Sequence, residues 1–146
     1  MTISNSEKLF DISLIETLPK CPLLEIAVPA GFPSQAHDYI ENLLDLNELM
    51  ILNPAATYFV RVEGNSMIDA NIYPGDFLIV DRSEEIADGK IVIGVIDGEV
   101  TVKRLRIKNN EYWLCPENVK YKPLRIEPHV DFRVWGVVTW VIHKPV

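Results

Sequence analysis

The sequence predicts a mainly β fold with a little helix, and three observations carry that expectation. TYFVRVEG alternates, with Tyr58, Val60 and Val62 on one side and Phe59 and Arg61 on the other, the period of a half-buried strand. IVIGVI and EVTVKRL flank Asp97-Gly98, the favoured dipeptide for a two-residue type I′ hairpin. Residues 1 to about 31 show no sustained period of 2 or 3.6, and Pro22, Pro29 and Pro33 interrupt them.

In chain order, residues 1–31 read as an extended, flexible arm ending within the helix-breaking stretch PAGFP, and residues 32–146 as the folded domain. Ser34 is a suitable N-cap for a short helix in which Ala36, Tyr39, Ile40, Leu43 and Leu44 share a face. A second apolar cluster, Leu46, Leu49 and Met50, leads to the turn at Asn53-Pro54. TYFVRVEG follows, then DFLIVDR after the turn at Pro74-Gly75, then the Asp97-Gly98 hairpin. Further strands are expected at residues 112–115, 124–126 and 132–142, with Gly136 as a bulge. There are no internal repeats.

At 146 residues the chain is long enough to bury a real core. Its formal charge of −7 argues against a protein that grips DNA phosphates, since that affinity comes from Lys and Arg. Sequence-specific DNA binding is therefore not expected, and partners are expected to be proteins. No apolar run approaches the length that spans a bilayer, and the first 20 residues carry acids where a signal peptide has a basic start. A cytoplasmic protein without a membrane anchor is the expectation. Cys21 and Cys115 are isolated, with no CxxC spacing, and read as free thiols; no metal and no cofactor is expected. No P-loop or other Gly-rich phosphate loop is present.

Ser66, in VEGNSMIDANIYPGD, follows a strand in a turn bracketed by Gly64 and Asn65. Turn serines are common, and most do no chemistry. A nucleophilic serine needs an accessible hydroxyl, backbone N–H donors aimed at the developing oxyanion, and a base. A strand ending in a Gly-flanked turn offers the first two only.

Lys103 is the candidate base. If Asp97-Gly98 forms the two-residue turn, Ile96 pairs with Glu99 and Val92 with Lys103. Alternation then sets Lys103 on the face of Thr101 and Leu105, away from Arg104, Arg106 and Lys108. The bland alternative is a solvated basic run, KRLRIK. An apolar setting matters because a protonated lysine accepts nothing; desolvation disfavours the ammonium, each pKa unit being worth about 1.4 kcal/mol. The histidines, His37, His129 and His143, sit in polar or chain-end settings and are weaker candidates.

VEGNSMID, YPGD, LIVDR and DGEVTVKRL together resemble the serine–lysine peptidase domain shared by LexA-type repressors and UmuD-type mutagenesis proteins. CPENVKYKP is similar to the segment that follows the lysine strand in LexA-type domains, and AGFPSQAHDYIENLLDLNELMILNPAATYFVRVEG to the UmuD type specifically. The resemblance runs from about Ala30 to the C-terminus. It implies a LexA/signal-peptidase-like fold of coiled antiparallel sheets. It also implies Ser66 as nucleophile, Lys103 as general base, and the backbone N–H groups of Ser66 and Asn65 as oxyanion hole. Self-cleavage is implied at Ala30–Gly31, with Met67 packing as a wall of the site.

The function so implied is that of an autoproteolytic accessory protein of the SOS response. A RecA filament on single-stranded DNA stimulates cleavage, and the trimmed homodimer joins a UmuC-type Y-family polymerase subunit in translesion synthesis. A LexA-like repressor would need a DNA-binding domain that an arm of about 30 residues is too short to supply. A signal peptidase would need a membrane anchor. A catalytically silent binding module is the rival from another class.

Overall fold

A computed structural model describes residues 9–11, 21–24, 28–33 and 40–146. The chain divides into two units, one drawn from Met1–Ile15 and Asn53–Val146, the other from Glu16–Leu52.

The larger unit is built on an eight-stranded antiparallel sheet. Its strands are β1 (Leu9–Asp11), β4 (Thr57–Arg61), β5 (Phe77–Asp81), β6 (Ile91–Ile96), β7 (Glu99–Lys108), β8 (Glu111–Cys115), β9 (Leu124–Arg125) and β10 (Phe132–Ile142). Their order across the sheet is β1-β4-β5-β10-β6-β7-β8-β9. Hairpins join β6 to β7 and β7 to β8, whereas β10 returns from the end of the chain to lie between β5 and β6. The strands from Thr57 onward fall where their alternation and turn residues place them.

The β6–β7 hairpin has the expected register: Ile96 pairs with Glu99 and Val92 with Lys103. Asp97 and Gly98 both take positive φ, +47° and +83°, as a type I′ turn requires. Successive residues of a strand face opposite ways, and here both faces carry a core. Ile93 and Val102, paired across the ladder, join Val60, Met67 and Val80 on one side. Val92 packs with Leu105, Leu114 and Val137 on the other. A fully buried aliphatic side chain is worth about 1.5–3 kcal/mol relative to an exposed one, so both clusters hold the hairpin in place.

Gly136 marks a register shift in β10, the expected bulge. A Cβ there would lie 2.6 Å from Val80 Cγ1, so only glycine lets the bent strand approach β5 so closely.

In the smaller unit β2 (Cys21–Leu24) pairs antiparallel with β3 (Ile40–Leu44). This corrects the helix expected from Ser34. Residues 40–44 are strand, with Leu43 opposite Pro22 and Leu44 opposite Cys21, while Ser34, Ala36 and Tyr39 lie outside the described residues. An apolar pair such as Leu43 and Leu44 fits either period, and a strand partner at Cys21–Leu24 decides between them. The helix comes one segment later, as α1 (Leu46–Met50), where Asp45 caps it by accepting from Asn47 N at 2.9 Å. Two short strands, β1 and β2, thus lie within residues 1–31. Phe10 of β1 sits opposite Phe59 of β4.

Candidate active site

Strand β4 ends at Arg61, and Gly64, at φ +78°, turns the chain into the loop that carries Asn65, Ser66 and Met67. Met67 is fully buried in the core beside Val62 and Ile72, which anchors the loop from below. Its carbonyl accepts from Ala70 N at 3.0 Å and Ile72 N at 3.2 Å, closing a 3-10 turn at Ile68–Ala70. Asn71 then leaves that turn in the left-handed region, a conformation asparagine tolerates.

The segment after β8 grips the loop from the other side. Ser66 O accepts from Glu117 N at 2.8 Å, and Glu117 O accepts from Asp69 N at 2.8 Å. Asn118 Nδ2 donates to Asn65 O at 2.8 Å, and Tyr121 Oη donates to Asn65 Oδ1 at 2.7 Å. Glu117 is in turn held by Arg104 of β7, whose Nη1 also donates to Gly89 O at 2.7 Å. Arg104 is therefore a half-buried clamp rather than part of a solvated basic face.

Ser66 and Lys103 meet. Lys103 Nζ lies 3.2 Å from Ser66 Oγ, 2.8 Å from Thr101 Oγ1 and 3.1 Å from Val102 O. An ammonium donates to all three. A neutral amine has two N–H groups and one lone pair. Donating to Thr101 Oγ1 and Val102 O leaves that lone pair facing the serine hydroxyl, the geometry in which the O–H donates to nitrogen. Desolvation by burial holds the Lys103 ammonium below the ordinary lysine range. Ser66 itself is 1% exposed, so its hydroxyl is enclosed rather than open to solvent. That departs from the accessible turn serine the sequence suggests. Beside Lys103 opens a groove of about 490 Å³, lined among others by Thr101, Leu114, Lys122 and Leu124.

Ala30 and Gly31 are both exposed in the smaller unit. His143 Nδ1 pairs with the buried Asp76 Oδ1 at 2.6 Å, which gives it a structural partner, and His129 is exposed. His37 lies outside the described residues. Cys21 is exposed and Cys115 half-buried; both are free, and desolvation pushes the Cys115 thiol up, away from reactivity. Among the described residues no helix is long and apolar enough to cross a membrane. Sequence reasoning passed over Asn118 and Tyr121, whose partners lie more than fifty residues away.

The Peptidase S24-like family model matches residues 22–139. The chain is 47% identical to protein SamA of Salmonella typhimurium over 123 residues, 84% of this chain and 85% of that protein. It is 39% identical to protein MucA of Escherichia coli over 140 residues, 94% and 95% of the two chains. With the LexA repressor of Oleidesulfovibrio alaskensis it shares 41% identity over 111 residues, 76% of this chain and 53% of the repressor.

Proposed function

Because the chain belongs to the Peptidase S24-like family, as a UmuD-type protein of SOS mutagenesis, we propose that it is a self-cleaving serine–lysine peptidase cutting its own Ala30–Gly31 bond. The observation that carries this reading is the setting of the Lys103 amine, 3.2 Å from Ser66 Oγ with Thr101 Oγ1 and Val102 O as two further acceptors.

The reaction is an acyl transfer followed by hydrolysis. Neutral Lys103 takes the Ser66 proton as Oγ attacks the Ala30 carbonyl carbon. The oxyanion is received by the backbone N–H groups of Ser66 and Asn65. When the C–N bond breaks, the lysine returns the proton to the nitrogen of Gly31, which leaves as an amine. Water then attacks the ester, with Lys103 again taking a proton, and frees Ser66 and the Ala30 carboxylate. Small residues at the scissile bond suit an extended arm, residues 1–31, entering an enclosed site on the domain, residues 32–146. Tethering gives a high effective concentration, so a slow dyad suffices.

By the UmuD-type resemblance, the setting is the cytoplasm, cleavage is stimulated by a RecA filament on single-stranded DNA, and the trimmed homodimer joins a UmuC-type Y-family polymerase subunit. The rival reading is a silent module that binds a polymerase or RecA without cutting; a LexA-like repressor fragment is another. Purified full-length chain incubated across neutral to alkaline pH, with and without activated RecA filament, is followed by intact mass. A fragment beginning at Gly31 is expected from wild type and from neither Ser66→Ala nor Lys103→Ala. Wild type that stays whole under every condition, or Lys103→Ala that cuts at the wild-type rate, sinks the peptidase reading.

A further inference from the structure

The segment CPENVKYKP, which the reaction above leaves without a role, packs on the serine loop through bonds of unequal consequence. Glu117 N holds the carbonyl of Ser66, and Tyr121 holds the side chain of Asn65. Asn118 holds the carbonyl of Asn65. That carbonyl and the Ser66 N–H are the two ends of one peptide group. The peptide is planar and trans, so its C=O and N–H point in opposite directions, and fixing one fixes the other. A donor on the carbonyl oxygen also polarises the group, which strengthens the N–H at the far end.

Asn118 is built for this contact. It is 7% exposed, and its other amide atom is engaged: Oδ1 accepts from Lys120 N at 3.0 Å. That bond sets the amide plane and leaves Nδ2 toward Asn65 O at 2.8 Å. The flipped amide would set donor against donor at Lys120 and acceptor against acceptor at Asn65, so the orientation is determined by both neighbours.

We infer that Asn118 is a positioning residue of self-cleavage: bonded to the Asn65 carbonyl, it orients and polarises the Ser66 N–H toward the oxyanion. The inference rests on the peptidase reading above. It assigns Asn118 no contact with the reacting bond, and no part in setting the protonation of Lys103.

The experiment compares full-length wild type with Asn118→Ala and Asn118→Ser. The serine variant keeps an acceptor near the Lys120 N–H but is too short to reach Asn65, and it serves if the alanine variant does not fold. Three quantities are read: the cleavage rate on the alkaline plateau, the midpoint of the rate–pH profile, and the Ser66 amide resonance of ¹⁵N-labelled protein. A directly placed oxyanion donor is worth about 10²–10³ in rate, and a donor that keeps its atom but loses its support retains part of that. The expected result is a plateau lowered about tenfold, an unmoved midpoint, and a shifted Ser66 resonance. A plateau within about twofold of wild type overturns the role of Asn118 alone, leaving the peptidase reading in place. A lowered plateau with a displaced midpoint overturns it too, because the side chain then acts through Lys103. Wild type that does not cut, while the Ser66 resonance still responds to Asn118→Ala, overturns the peptidase reading and this role with it.

Discussion

Val92 and Lys103 stand directly opposite each other on the β6–β7 ladder, and the valine has no exposed surface. Side chains so paired are neighbours on one face, so the stem of the lysine runs along methyl groups. Val92→Thr keeps the branched shape and replaces one methyl with a hydroxyl. It is expected to ease desolvation of the ammonium and move the midpoint of the cleavage–pH profile upward, with a stability loss of about 1–2 kcal/mol from the buried hydroxyl. An unmoved midpoint in the folded variant would show that Val92 does not help to lower the lysine pKa.

Lys103→Met is expected to abolish cleavage and to stabilise the fold. The lysine binds its proton less tightly in the folded chain than in the unfolded one, because burial lowers its pKa. Between the folded and unfolded values the unfolded chain holds more protons, so wild type gains stability as pH rises through that window. Below it the cost of enclosing the ammonium is fully present. The methionine variant should therefore melt higher at neutral pH, and its advantage should shrink under alkaline conditions. Thermal melts at neutral and alkaline pH check both halves.

Gly136→Ala is expected to destabilise by about 1–3 kcal/mol, since its Cβ would lie 2.6 Å from Val80 Cγ1 within the core. Denaturant titration reads it directly. A neutral substitution would mean that β10 slides freely against β5.

Asp76→Ala should cost about 2–3 kcal/mol. The carboxylate is buried, accepts from Tyr73 N at 2.9 Å and pairs with His143. Removing it leaves the Tyr73 N–H without that acceptor, which is costlier than losing the bond to the more exposed histidine. His143→Ala should cost much less, and the two melts together separate these contributions.

The strands from Thr57 onward were legible because each is long enough to show a period and is closed by a turn residue with a physical reason to be there. Asp97 and Gly98 take the positive φ their identities allow, and the Val92–Lys103 pairing follows by counting. That count singles Lys103 out from KRLRIK, which composition alone cannot do. β1 and β2 were not legible, since three or four residues cannot display a period and their partners lie far along the chain. The strand at Ile40–Leu44 was misjudged for a related reason: what decides it is pairing with Cys21–Leu24, a relation that no window of neighbouring residues contains. The clamp on the serine loop was hidden in the same way. Asn118 and Tyr121 look like ordinary turn polars until the fold brings them to Asn65.

Thr101, Val102 and Lys103 are consecutive, and together they supply the amine and two of its three neighbours. The apparatus that holds the amine is thus carried within a tripeptide, and only the hydroxyl comes from elsewhere in the chain. Removing the serine leaves that holder in place, so an electrophile delivered to the vacated space should find a nucleophilic nitrogen already oriented. A Ser66→Gly chain is in that sense a starting point for amine chemistry, such as imine formation with an aldehyde, on a scaffold without the proposed nucleophile.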